Sequence, residues 1–205
     1  MPRRPDTRFL LVAAALAATA AGIGAAALLR PHPAAVLRAG TALEAPRPLA
    51  EFVLVDQRGH SLGRRDFEDR WSLVFTGFTH CPDLCPTTLA ELADLRKQLP
   101  AEALQIVFVS VDPERDTPER IADYLAHFGR GLRGATGTAA QVEAFTGQLG
   151  LAHVRNPGVA GDYAVDHSAA LVLIDPEARV AGYFTPPHDA RALAADLAGL
   201  VRGAG

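Results

Sequence analysis

The chain has 205 residues, a formal net charge of −3, two cysteines and seven histidines. That length suits one domain plus a targeting segment. The weakly acidic balance excludes a basic nucleic-acid face, so no nucleic-acid partner is expected.

Phe9 to Leu29 is a run of 21 residues without a charge, with Arg3, Arg4 and Arg8 before it and Arg30 after it. About 20 apolar residues cross a bilayer as a helix. The excess of arginine ahead of the run favours a cytoplasmic N-terminus. Residues 1–30 are therefore expected to be an uncleaved membrane anchor. A cleaved signal peptide is the rival reading, with small-residue sites such as Ala25-Ala26-Ala27, although its apolar region normally spans only about 7–15 residues. A twin-arginine export signal at Arg3-Arg4 is a third. Each places the remainder outside the cytoplasm, on the periplasmic side of the inner membrane. Residues 1–30 carry net +3, which leaves residues 31–205 at net −6. In an oxidising compartment two neighbouring thiols oxidise unless they are kept reduced or bound to a metal.

Residues 31–50 are rich in Pro and Ala and lack helical periodicity, which reads as a tether. An ordered arm packed on the domain is the alternative for the last ten. The domain is expected over 51–205. "FVLV" (52–55) reads as a short strand and "WSLVFTGF" (71–78) as a strand covered on both faces. Leu89, Leu92, Leu95 and Leu99 mark a helix over Thr87 to Leu99, and "IVFVSV" (106–111) a second buried strand. Thr117 and Pro118 suit the cap and first position of a helix carrying Ile121, Tyr124, Leu125 and Phe128, with Gly129 to end it. A segment "LRGATG" (132–137) precedes a helix with Val142, Phe145 and Leu149. Strands "AALVLI" (169–174) and "VAGYF" (180–184) follow, then an amphipathic helix with Leu193, Leu197, Leu200 and Val201. Strands alternating with helices predict an α/β domain with a central mixed sheet flanked by helices. The order is compatible with a thioredoxin-like fold.

Cys81 and Cys85 lie four positions apart, each followed by proline, where a strand becomes a helix. Side chains at i and i+4 of a helix are neighbours, with about 5–6 Å between Cβ atoms. A disulfide wants about 3.5–4.5 Å, so the pair can bridge after a modest adjustment or grip a metal without one. A helix N-terminus favours a thiolate, the form that attacks and ligates. Pro82 and Pro86 suggest a stiffened loop rather than a full helical turn. Two buried structural thiols are the plain alternative. Two thiolates alone make an incomplete site. Zinc normally takes four protein ligands, whereas two thiolates with an imidazole suit copper, Cu(I) in particular. His32 falls in the tether and His60 in a turn. His80 adjoins Cys81 but should point away if the strand continues to it. His127, His153 and His188 flank helices or loops. His167, in "YAVDHSAALVLID" (163–175), precedes the terminal hairpin, which in a thioredoxin-like layout faces the cysteine-bearing helix.

"DPERDTPE" (112–119) resembles a catalytic carboxylate cluster but reads better as a helix start, with Asp116 and Glu119 favouring its positive end. Asp112 or Arg115 docking a partner is the alternative. Asp166 either orients His167 through its other ring nitrogen or is merely solvated.

"FTGFTHCPDLCPTTLAEL" (75–92), "VFVSVDPERDTPERIADYLAHF" (107–128), "YAVDHSAALVLIDPEARV" (163–180) and "APRPLAEFVLVDQRG" (45–59) together resemble the Sco/SenC family of copper-binding cytochrome oxidase assembly proteins. The resemblance covers nearly the whole domain. It implies a thioredoxin-like fold with insertions and copper, Cu(I) or Cu(II), held by Cys81, Cys85 and His167. It also implies a role in building the dinuclear copper centre of cytochrome c oxidase subunit II, fed by a periplasmic copper donor protein, with the N-terminal helix in the membrane. "DPEARV" departs from the D-P-x-G-x form often seen there, which touches only a turn. Two functions follow. One is a membrane-tethered copper chaperone. The other is a thiol–disulfide reductase in which Cys81 and Cys85 act as a redox pair. A peroxiredoxin-type peroxidase is a third, against which Phe78 stands where that family has its threonine, with Thr79 displaced by one.

Overall fold

The computed structural model describes residues 16 and 19 and residues 37–99, 104–158 and 163–203. The chain divides into two compact units, Met1–Pro33 and Ala34–Gly205. Of the first, only Leu16 and Thr19 are described, both helical. The expected anchor otherwise lies outside the described residues, as does the tether up to residue 36. Among the described residues no helix is long and apolar enough to cross a membrane.

The second unit is a thioredoxin-type α/β domain. Its strands are β1 (Thr41–Pro48), β2 (Val53–Asp56), β3 (Ser61–Gly63), β4 (Trp71–Gly77), β5 (Leu104–Ser110), β6 (Leu132–Thr136), β7 (His153–Pro157), β8 (Tyr163–His167), β9 (Leu171–Ile174) and β10 (Arg179–Phe184). Its helices are α1 (Leu84–Lys97), α2 (Pro118–Ala126), α3 (Ala139–Gln148) and α4 (Ala190–Gly203). Eight strands form one mixed sheet in the order β1-β10-β9-β4-β5-β6-β2-β3, and β7 and β8 form a separate two-stranded ribbon. β4, β5 and β6 run parallel; the other neighbours in the sheet pair antiparallel. Thr41–Pro48 is therefore an ordered edge strand against β10, the arm that composition alone left open against a tether.

The central strands are apolar at consecutive positions because both faces are covered. Leu73 and Phe75 of β4 and Ile106 and Phe108 of β5 face one core with Leu89, Leu92, Ile121, Leu125, Leu193 and Leu197. That core packs α1, α2 and α4 on the sheet. Val74, Val107 and Val109 face the other core with Leu54, Phe67, Val142 and Phe145. The parity of the strand decides the assignment, as its period of two requires. Helix starts follow local chemistry. The Thr117 side chain accepts the N–H of Arg120 ahead of Pro118, and Thr138 and Gln141 form a reciprocal capping box.

Candidate metal centre

β4 ends at Gly77 beside Ser110, the end of β5. This carboxyl edge of parallel strands is where open α/β sheets hold ligands. From Gly77 the chain turns through Phe78, whose carbonyl accepts the N–H of Cys81 at 3.2 Å. It then enters α1 at Leu84, one residue after Asp83 at the N-cap. Cys85 and Pro86 are the second and third helical residues. N–H groups there have no helical acceptor, so Pro86 removes no bond. The Asp83 side chain caps nothing. The N–H of Cys85 donates instead to Cys81 Sγ at 3.3 Å, so a sulfur fills the acceptor's place at the helix start.

The two cysteines are unequal. Both are free thiols, Cys85 fully buried and Cys81 half-buried. Burial, then the hydrogen bond with Cys81, pushes the Cys85 thiol well above its ordinary range, against an opposing backbone hydrogen bond from Phe78. His167 closes β8 with Nε2 at 3.4 Å from Cys85 Sγ. Its Nδ1 lies 3.1 Å from the Ser168 carbonyl oxygen. A carbonyl only accepts, so Nδ1 holds the proton and the Nε2 lone pair faces the sulfur. The ring stands edge-on to Phe75 and Phe78, with centroids 6.1 and 5.9 Å away. Burial holds His167 below the ordinary imidazole range, outweighing the Ser168 carbonyl. The ring is therefore neutral, the form that ligates.

One ligand atom from each of Cys81, Cys85 and His167 lies within 4.8 Å of the others. Donors sharing an ion at about 2.0–2.3 Å stand at most about 4.6 Å apart, which is the scale of this triangle. Two sulfurs and one nitrogen in a half-buried pocket suit a soft, low-coordinate ion.

The ribbon that carries His167 is clamped to the body. Tyr163 donates its hydroxyl hydrogen to Asp112 Oδ1 at 2.5 Å. The guanidinium groups of Arg115 and Arg155 both lie over its ring, at 3.7 and 4.2 Å from the ring centroid. Arg115 also donates to the Tyr163 carbonyl at 3.1 Å and bonds to the Asp112 carboxylate. Thr76, next to the end of β4, donates to the Ser168 carbonyl at 3.2 Å, the same oxygen that fixes the His167 tautomer. Asp116, fully buried, accepts from Thr79 N at 2.8 Å, Thr79 Oγ1 at 2.6 Å and Ser110 Oγ at 2.6 Å. It ties the loop before Cys81 to β5.

Sequence reasoning missed these anchors. Asp116 read as a charge at a helix start, and its position beside Ser110 is set by the turn after β5. Asp166 does not orient His167; it accepts from Asn156 Nδ2 at 2.6 Å, and the Ser168 carbonyl holds that place. His80 lies beyond the end of β4 and takes an N–H of Arg120 at 3.0 Å on Nε2. His80, Asp112 and Asp116 also cluster, but their oxygens are engaged by Thr79, Ser110, Tyr163 and Arg115, so they form a structural network. His60, His127 and His153 pair with Asp56, the Tyr124 carbonyl and Glu143. His188 lines a cavity between α1 and α4, and His32 lies outside the described residues.

The SCO1/SenC family model matches residues 41–202. A putative copper-binding protein of Stutzerimonas stutzeri is 40% identical over 144 residues, 69% of this chain and 71% of that one. The mitochondrial SCO2 homolog of Bos taurus is 35% identical over 198 residues, 92% of this chain and 74% of that one. Among solved structures, Bradyrhizobium japonicum ScoI with copper bound superposes with a TM-score of 0.69 at 33% identity, covering 75% of this chain and 99% of that one.

Proposed function

The chain belongs to the SCO1/SenC family, and from that premise we propose that it is a copper chaperone serving the dinuclear copper centre of cytochrome c oxidase subunit II. The observation that carries the reading is the convergence of ligand atoms from Cys81, Cys85 and His167 to within 4.8 Å of one another. The copper ion is cargo. Cys85 and His167, the buried side of the triangle, hold it, with the neutral imidazole offering Nε2. Cys81, the half-buried corner, is where a cysteine of the receiving protein exchanges in. We place the domain on the periplasmic side of the inner membrane behind an N-terminal anchor, which the charge-free run Phe9–Leu29 supports. A periplasmic protein of the oxidising compartment supplies the copper.

The unequal burial of the thiols favours a second activity of the same pair. Cys81 Sγ, as thiolate at the helix N-terminus, attacks a sulfur of a partner disulfide. That S–S bond breaks, its distal sulfur leaves as a thiolate, and a mixed disulfide forms. Cys85, losing its proton to solvent, attacks Cys81 Sγ, closes the Cys81–Cys85 disulfide and releases the partner's second thiolate, so two electrons pass to the partner.

Titration of the reduced protein with Cu(I) tests the main reading. One ion per chain is expected, with sulfur and nitrogen ligands in X-ray absorption and no binding by the oxidised form. His167→Ala separates the activities: it removes tight binding and delivery while disulfide reduction persists. Tight stoichiometric binding by His167→Ala refutes the assigned site.

A further inference from the structure

The cavity between α1 and α4 has a volume of about 130 Å³. A water molecule takes about 30 Å³ of the liquid, so the space accommodates an ion that keeps part of its water. Leu92 and Leu193 give it an apolar wall, Glu91 and Asp94 line it from α1, and His188 lines it from the segment before α4. Neither Cys81, Cys85 nor His167 lines it, so it is separate from the sulfur site. Both ring nitrogens of His188 are sealed from solvent, and neither has a hydrogen-bond partner among the described residues. A neutral imidazole carries one N–H and one lone pair. Leaving both unpaired away from water costs free energy, a cost that leucine at the same place would not incur.

The charge around that imidazole is negative. Glu91 and Asp94 are three positions apart, which puts them on one face of α1 with Cβ atoms about 5–6 Å apart. Asp189 adjoins His188 and accepts the N–H groups of Arg191 and Ala192 at the start of α4. Lys97 Nζ holds one oxygen of Asp94 at 2.8 Å, but the pair is exposed and such pairs contribute little. Glu91 and Asp94 stand on the exposed rim, so their carboxylates reach the interior by turning about their own side-chain torsions. An imidazole with two carboxylates and a water is a tetrahedral donor set for zinc and its neighbours. We propose that this cavity is a second cation site, for a divalent ion of the zinc class: His188 supplies a ring nitrogen, Glu91 and Asp94 supply oxygens, and water completes the shell.

The inference does not depend on the copper reading, and the test keeps them apart. The full chain carrying Cys81→Ser and Cys85→Ser, which removes the sulfur ligands, is titrated with Zn2+ alone and compared with the same chain carrying His188→Leu or Glu91→Gln. Calorimetry gives stoichiometry and affinity, nitrogen NMR follows the His188 ring, and thermal unfolding gives the stabilisation. One Zn2+ per chain is expected, with one His188 ring nitrogen resonance displaced and the melting temperature raised as Zn2+ exceeds its dissociation constant. His188→Leu should lower Zn2+ affinity at least about tenfold, about 1.4 kcal/mol, while melting without the ion at the temperature of its parent or above. Glu91→Gln changes an exposed side chain, leaves the fold intact and should also weaken Zn2+ binding. A chain that takes up no Zn2+ overturns the inference. So does an unmoved His188 ring, or parental Zn2+ affinity in either variant.

Discussion

Replacing Gly77 by alanine puts one methyl group where β4 passes the buried sulfur. Its Cβ would stand 2.8 Å from Cys85 Sγ and 2.9 Å from Phe108 Cε2. Relaxed contacts between heavy atoms lie at about 3.5–4.0 Å, so the neighbours must give way by about 0.7 Å or more. The strand cannot easily retreat, because the Gly77 carbonyl accepts the N–H of Val111 at 2.9 Å. Phe108 and Cys85 are both fully buried, so each can give way only by displacing its neighbours. Overpacking of this kind costs about 1–3 kcal/mol. For a domain of this size that lowers the melting temperature by about 2–4 °C per kcal/mol. The heavier effect falls on the site. Ligand distances tolerate about 0.2 Å, and a sulfur displaced by several times that releases its ion. Copper affinity should drop at least about tenfold, out of proportion to the modest loss of stability. Gly147→Ala is the control, since a Cβ there meets nothing within 4 Å, and the helix gains up to about 1 kcal/mol. Thermal unfolding and chelator competition, run on both variants, check the reasoning. A Gly77→Ala protein with wild-type melting and wild-type affinity shows that β4 does not press on Cys85, and the seating of that sulfur described above is then wrong.

Asp116→Ala should destabilise the fold by about 2–5 kcal/mol in urea unfolding, since it strands the Thr79 and Ser110 donors that the buried carboxylate now satisfies. Copper affinity should fall with it, because the same carboxylate anchors the loop before Cys81. Asp56 is opposed by burial, yet the N–H groups of His60 and Arg58 and the Arg133 side chain hold its carboxyl below the usual range. A depressed carboxyl contributes stability above its unfolded value and loses it as pH falls through the folded one. The advantage of wild type over Asp56→Asn should therefore be full at pH 6 and shrink below its ordinary value of 3.8, read from denaturant midpoints. Thr138→Ala removes a capping box from α3 and should cost about 1 kcal/mol by the same assay without changing copper affinity.

What the sequence made legible tracks how local the determining forces are. β4 and β5 announce themselves by unbroken apolar runs, and α2 by its threonine cap ahead of Pro118. β6 does not, because Leu132–Thr136 carries Arg133 and Gly134. The glycine looks like a strand breaker, yet α2 demands it: a Cβ there would lie 2.2 Å from Ile121 Cγ2 and 2.7 Å from Leu125 Cδ1. β7 and β8 pair only with each other and bury little beyond Val165, so the core imprints only a faint pattern on them, and Val154 is largely exposed.

The site shows the same division at its sharpest. The spacing of Cys81 and Cys85 is a local fact, and a helix start converts it directly into neighbouring sulfurs. The placement of His167 is not local. β9 pairs antiparallel with β4 in a register that sets Leu171 opposite Phe75. The residues just before Leu171 therefore emerge over the carboxyl end of β4, where the chain turns towards Cys81. That register depends on the alternation of two cores along β4 and β9, with Leu173 and Leu171 facing one and Val172 and Ile174 the other. A slip of one residue would exchange those faces and carry the imidazole away from the sulfurs. Thr76 makes the register chemically specific, because its hydroxyl holds the Ser168 carbonyl that in turn orients Nδ1 of His167. The imidazole thus reaches the cysteines through the packing of the sheet, and the triangle of Cys81, Cys85 and His167 depends on the pairing of β4 with β9.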